Sequence, residues 1–215
     1  MTAADPDDDD TLMRAFAQGD ARAFECLYVR HHAPLYRFVR RLLGPAAAAQ
    51  VDEVFQDTWL RVVHARTRWS PQGAAFRTWL FTLAHHRAID VLRKSGRERS
   101  LDASGDDDDE REPWQPADDA QAWRDWPGAP PATAASSTED RAFWRAAGQR
   151  LLDCLDTLPA VQRSAFLLHH EDGMAVDELA RALEVGFETA KSRLRYAMSK
   201  LRTCMGAFLP AEGMR

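Results

Sequence analysis

The sequence predicts an all-α fold of two small helical domains, and three observations carry that expectation. Apolar residues recur at helical spacing along most of the chain. Runs of β-branched residues with period-two alternation, the mark of strands, hardly occur. A stretch rich in Asp and Pro, residues 98–138, breaks the periodicity and separates residues 11–97 from residues 139–206. With 215 residues the chain can hold two cores of roughly 80–100 residues each.

The elements follow in order. Thr11 is placed to cap a short helix that ends near Gly19, and Asp20 to cap a longer one carrying Phe24, Leu27 and Tyr28. Pro34 either kinks that helix or opens another through Leu35, Phe38, Val39 and Leu42, and Gly44-Pro45 stops it. A helix over about 47–65 turns Val51, Val54, Phe55, Thr58, Trp59, Val62 and Val63 inward. After the loop Ser70-Pro71-Gln72-Gly73, a fourth helix over about 74–94 carries Phe76, Trp79, Leu80, Leu83 and Leu92. Helical periodicity resumes near Thr138 and runs to Leu155, Pro159 starts the next helix, and Gly173 breaks it. Two further helices, 176–183 and 187–205, flank the turn Glu184-Val185-Gly186.

Charge is unevenly spread beneath a formal net of −5. Residues 11–99 hold 15 Lys and Arg against 7 Asp and Glu, whereas residues 100–138 hold 2 against 10. Two basic bodies joined by an acidic strap are compatible with a polyanionic partner, because the local field and not the average decides. No apolar run reaches the roughly 18 residues of a membrane span, and the N-terminal Met1–Asp10 segment, with five aspartates, is no secretory signal. Cytoplasmic residence is the expectation. Three widely spaced cysteines, Cys26, Cys154 and Cys204, argue against a disulfide framework. Adjacent histidine pairs at 31–32, 85–86 and 169–170 diverge by about 100° on a helix, a poor geometry for a metal. With no phosphate loop and no nucleophile elbow, neither catalysis nor a cofactor is implied.

The segment from Val176 to Tyr196 has the spacing of a DNA-binding helix-turn-helix. Ala180 is small where two helices cross, and Leu179, Leu183, Val185 and Leu194 can fill the wedge between them. On the second helix Ala190, Leu194, Ala197 and Leu201 form the inward stripe, opposite Glu188, Lys191, Ser192 and Arg195 at i, i+3, i+4, i+7. In a major groove that outer stripe offers cations and a hydroxyl to base edges and phosphates, with Arg193, Lys200 and Arg202 flanking it. An ordinary helical hairpin with a basic solvated face is the plainer alternative, and a stand-alone dimeric regulator is the competing functional one.

The first domain separates these readings. Val51-Asp-Glu-Val-Phe-Gln-Asp-Thr-Trp-Leu-Arg-Val, then Phe76-Arg-Thr-Trp-Leu-Phe-Thr-Leu-Ala-His-His-Arg-Ala-Ile-Asp-Val-Leu-Arg-Lys, resembles conserved region two of the extracytoplasmic-function sigma factors. Leu158-Pro-Ala-Val-Gln-Arg-Ser-Ala-Phe-Leu-Leu and the helix-turn-helix resemble region four of the same family. The resemblance implies a promoter-specificity subunit of bacterial RNA polymerase. It places Asp52, Glu53, Gln56 and Asp57 on the core polymerase, with Val54, Phe55 and Trp59 as anchors. It assigns Arg77, Trp79, His86, Arg87, Arg93 and Lys94 to the minus-10 element, read as an unstacked strand. The minus-35 element falls to Glu188, Thr189, Lys191, Ser192, Arg193, Arg195 and Tyr196.

Three positions depart from the family pattern. His86 stands where Asn is frequent, and Tyr196 where Arg is. Glu184 occupies the position of a common turn glycine, so either the turn differs or Glu184 adopts right-handed helical geometry. The resemblance also implies promoter DNA and core polymerase as partners, an anti-sigma factor, and a linker that threads the polymerase cleft; a monomer is the expected state, because polymerase supplies the second surface. In the free protein the long acidic linker is expected to be solvated and disordered, and the alternative is an autoinhibitory strap in which its acidic Asp106–Glu112 segment covers the basic helices.

Overall fold

The structure, a computed structural model, describes residues 8–71, 74–95, 138–170 and 172–208. Among these residues every regular element is a helix. The expected acidic linker, with Trp114, Trp123 and Trp126, lies outside them.

Helix α1 spans Asp9–Ala17 and starts two residues before Thr11, with Asp8 at the N-cap and Asp9 and Asp10 in its first turn. Acids there complement the helix dipole, which accounts for the earlier start. Helix α2 spans Ala21–Leu43, and the Asp20 carboxylate caps it by accepting from the N–H groups of Arg22 (2.9 Å) and Ala23 (3.4 Å). It passes through Pro34 unbroken. Gly44, at φ +64°, ends it, and a 3-10 turn, Pro45–Gln50, leads into α3, Val51–Ala65. Helix α4 spans Phe76–Lys94. The second half contains α5 (Thr138–Asp156), α6 (Ala160–His170), α7 (Val176–Ala182) and α8 (Phe187–Met205).

Phe38, Phe76, Phe81, Leu27, Leu35 and Leu80 fill the first bundle and are almost fully buried. Leu167, Leu168, Leu194, Leu201 and Met205 fill the second. These cores form one continuous cluster, because α2 packs on α6 and α4 packs on α7. Helix α6 is therefore covered on nearly every side, including its polar Gln162, Arg163 and Ser164.

The cysteines correct the expectation drawn from their number and spacing. Cys154 on α5 and Cys204 on α8 are disulfide-bonded, with Cα atoms 5.9 Å apart, while Cys26 is free and exposed. A sequence separation of 50 hides the pairing, which depends on α5 lying alongside α8.

Candidate nucleic-acid interface

Helix α4 carries the basic residues expected to meet the minus-10 strand. Arg87, Arg77 and His86 are engaged within the molecule. The Arg87 guanidinium bridges Glu53 and Asp57 of α3, each at 2.7 Å. Arg77 lies 3.6 Å from Asp172, and His86 Nε2 lies 3.5 Å from Glu184 Oε2. Arg93 and Lys94 are exposed at the far end, and Trp79 is half-buried.

The carboxylates expected to face polymerase are shared in the same way. Asp52 accepts a hydrogen bond from the Tyr36 hydroxyl at 3.0 Å, whereas Gln56 is exposed. Val54, expected as an anchor, is fully buried, and Phe55 and Trp59 are 7% and 5% exposed. Their stripe faces the bundle because α3 must cover α2. The edges of Phe55 and Trp59 still line a shallow apolar groove with Phe24, Tyr28, Leu60 and Val63, beside Gln56.

The helix-turn-helix forms as its spacing demands. Ala180 is buried at the crossing, and Leu179, Leu183, Leu194, Ala190, Ala197 and Leu201 pack inside. Glu178 accepts from the Ala175 N–H at 3.0 Å at the start of α7. At its end Val185 N–H donates to Ala180 O and Glu184 N–H to Arg181 O, the two bonds of a Schellman turn. Glu184 sits at φ +52°, so the right-handed alternative does not hold. A non-glycine residue in that conformation costs about 1–2 kcal/mol. The turn thus keeps the geometry a glycine would give, and the side chain that replaces glycine reaches His86.

On α8, Glu188 and Thr189 are exposed and Lys191, Ser192 and Arg195 half-buried along one outward stripe. Lys191 lies 3.8 Å from Glu188. The Arg195 guanidinium stacks 4.9 Å from the exposed Tyr196 ring and donates to its hydroxyl at 3.3 Å. Arg193 departs from this stripe: burial depresses its pKa, and its charge acts on the buried His85 of α4. Burial, with the charges of His86, Arg193 and Arg93 adding to it, pushes His85 down to about 3, so this imidazole is neutral.

Asp172 is a strongly shifted acid at the junction. It is 7% exposed, and its Oδ2 has no hydrogen-bond partner. Burial pushes its carboxyl up to about 7, although Arg77 of α4 and Arg37 of α2 pull the other way. In water the group titrates near 3.8, so closure of the two halves takes up a proton between these values. Asp172 by itself therefore favours closure in acid and loses that contribution as pH rises through about 7, whereas His85, held neutral, works against closure as pH falls below about 6.5. A fluorescence distance measurement between α2 and α5 should show Asp172→Asn closing more firmly than the unsubstituted protein at and above about pH 7, with the difference vanishing toward about pH 4. Equal distances in the two proteins at about pH 7 and above would contradict this.

Comparison with known proteins fits this geometry. Residues 27–98 match the Sigma-70 region 2 family and residues 148–201 match Sigma-70, region 4. The chain is 30% identical to the ECF RNA polymerase sigma factor SigK of Mycolicibacterium vanbaalenii over 92% of its own length and 89% of that relative. The chain belongs to the extracytoplasmic-function sigma factors. It is also 29% identical to the RNA polymerase sigma factor CarQ of Myxococcus xanthus, over 90% and 95% of the two chains. The fold resembles CnrH in complex with the cytosolic domain of CnrY, with a TM-score of 0.60, 23% identity and coverage of 93% and 99%. It also resembles RpoE of Bartonella quintana in complex with the anti-sigma factor NepR, with a TM-score of 0.58, 20% identity and coverage of 86% and 98%.

This sigma factor directs promoter-specific initiation by RNA polymerase, and it belongs to a family of transcription regulators that are generally not catalysts. Among the described residues no helix is long and apolar enough to cross a membrane, and no His, Cys, Asp and Glu group could hold a metal. Sequence reasoning about this sigma factor missed Asp172 and Arg163, two residues of the junction between its halves. Asp172 precedes Gly173 in a loop and belongs to no motif, so nothing local marks it. Arg163 sits on the inward face of α6, and an arginine among apolar positions is the one available signal.

Proposed function

We propose that the second half reads the minus-35 element with α8, and that the first half grips core polymerase through α3 and captures the melted minus-10 strand with α4. The observation that supports this most directly is the outward stripe Glu188, Thr189, Lys191, Ser192 and Arg195 on a helix whose opposite face is fully packed. The mechanism is binding, not catalysis. Affinity for the single-stranded form draws the duplex toward the open state, and the polymerase performs the chemistry. A cytoplasmic monomer suffices, since the polymerase supplies the second surface.

The closed arrangement does not fit a promoter. Two elements about 25 base pairs apart are separated by about 85 Å at 3.4 Å per base pair. A compact body of this length has a radius of gyration of about 17 Å. The two halves must therefore part before both elements are engaged, and residues 96–137 are long enough to allow it at about 3.3 Å per residue. Parting frees Arg77 from Asp172 and His86 from Glu184. Docking of a basic polymerase surface on Glu53 and Asp57 competes with Arg87 and returns it to the DNA side. The CnrY and NepR complexes of the structural neighbours support a protein inhibitor as a further partner, one that holds the closed form.

Transcription in vitro from a library of promoter-like fragments, with core polymerase alone and with this protein added, tests the assignment. Transcripts that need the protein and share two upstream elements are expected. Salt-dependent duplex binding without any transcript would favour a stand-alone regulator. Within that assay Arg195→Ala should relax selection at one minus-35 position by about 1–3 kcal/mol, and Lys191→Ala should weaken all sequences alike. Unaltered selection in the Arg195 variant would remove it from the base contacts.

A further inference from the structure

Helix α1 lies outside the residues that match either sigma region, yet it makes the contact that fixes where the minus-10 helix begins. Helix α4 starts after Ala75, a residue with no side chain able to cap it. An uncapped helix end leaves backbone donors unsatisfied and frays. Here the missing acceptor arrives from elsewhere: Asp10 Oδ1 accepts from the Phe76 N–H at 2.7 Å, across 66 residues of sequence. Its neighbour Asp9 keeps that carboxylate in place, paired with Arg30 and 2.7 Å from His31 Nε2 on α2. Met13, fully buried, and Phe16 anchor the rest of α1. The His31 ring lies 5.6 Å from the Phe76 ring, and Trp69 and Trp79 close on it at 6.3 and 6.1 Å. Phe76 is thus held by its backbone and by its ring at one point.

We propose that Asp10 is a positioning residue for promoter recognition: from α1 it caps α4 and sets the direction in which the first turn presents Arg77 and Trp79 to the minus-10 strand. This rests on the assignment of α4 to the minus-10 element made above. Arg77 and Trp79 follow Phe76 by one and three residues, so fraying of this turn moves both. The carboxylate has a second effect. It occupies the Phe76 N–H and places a negative charge at a helix N-terminus that otherwise attracts a phosphate, and so disfavours the DNA backbone settling on that end of α4.

The test uses the full-length protein assembled with core polymerase and a promoter fragment library randomised at both elements. Asp10→Ala is expected to lower base selectivity at minus-10 positions about five-fold, the effect of a lost cap, while minus-35 selectivity stays unchanged. Asp10→Asn, which keeps an acceptor, should restore most of it. Asp20→Ala removes the cap of α2, with a similar loss of stability, and should leave minus-10 selectivity intact. Unchanged selectivity in Asp10→Ala, or an equal loss in Asp20→Ala, would overturn the positioning role and leave the minus-10 assignment standing. A wild-type selection with no minus-10 preference would sink that assignment and the positioning role together.

Discussion

Reduction of the Cys154–Cys204 bond is expected to lower the stability of the second half by about 4 kcal/mol, the chain-entropy value for a closed loop of this size. For a protein of this length that is a fall of roughly 10 °C in melting temperature. Cys204 lies in the last turn of α8, and Arg150 of α5 donates to its carbonyl at 3.0 Å, a tie between the two helices that does not involve the sulfurs. The outward stripe begins at Glu188, at the opposite end of that helix. Reduced protein at low temperature should therefore bind minus-35 duplex as the oxidised form does, and lose binding at a lower temperature. Thermal unfolding with and without a reductant checks this, alongside Cys154→Ala/Cys204→Ala, which should match the reduced wild type and ignore the reductant. Equal melting of the wild type with and without reductant would count against it.

What the sequence made legible was local. Asp20 capping α2, Gly44 ending it, the inward stripe of α8 and the turn after Leu183 each follow from spacing and residue chemistry within one or two helical turns. The failures are contacts across long separations. Thr11 was a reasonable cap until Asp9 and Asp10 are seen to serve α2 and α4. Val54 and Trp59 read equally as core or as anchors, because periodicity gives a face but not what covers it. The disulfide, the Asp172–Arg77 contact and the docking of α7 on α4 depend on how two halves meet, and no periodicity encodes that. The reading of Glu184 and His86 as separate departures shows the same limit. Each is odd within its own motif, and their common place at 3.5 Å emerges only in three dimensions.

The same junction sets the other large expected effect, at Arg163. Its Nη1 donates to Arg41 O (3.4 Å) and Leu42 O (3.3 Å), carbonyls at the C-terminal end of α2, and to Asp156 Oδ1 (3.2 Å). Its Nη2 donates to Asp156 O (2.8 Å) and Leu158 O (3.1 Å). A cation on the carbonyl end of a helix is favoured by the dipole, and this one is buried between the halves. Burial depresses its pKa, against the pull of Asp156, so the contact is costly to maintain and costlier to break on one side. Arg163→Met should cost about 3–5 kcal/mol, divided between closure and the loop after α5. Gly44→Ala separates the two. A Cβ there would sit 2.8 Å from Arg163 Nη1 and from Asp156 Oδ1, on a backbone already at φ +64°, while the loop after α5 is left whole. Both variants should open the protein, read as a rise in radius of gyration by solution scattering from about 17 Å. Both should also bind single-stranded minus-10 DNA more tightly in the absence of polymerase. Only Arg163→Met should lower the melting temperature of the second half. If Gly44→Ala stays compact, the α2 terminus is not what holds the halves together, and the α4–α7 contact and the remaining packing of α2 on α5 and α6 and of α4 on α6 hold them.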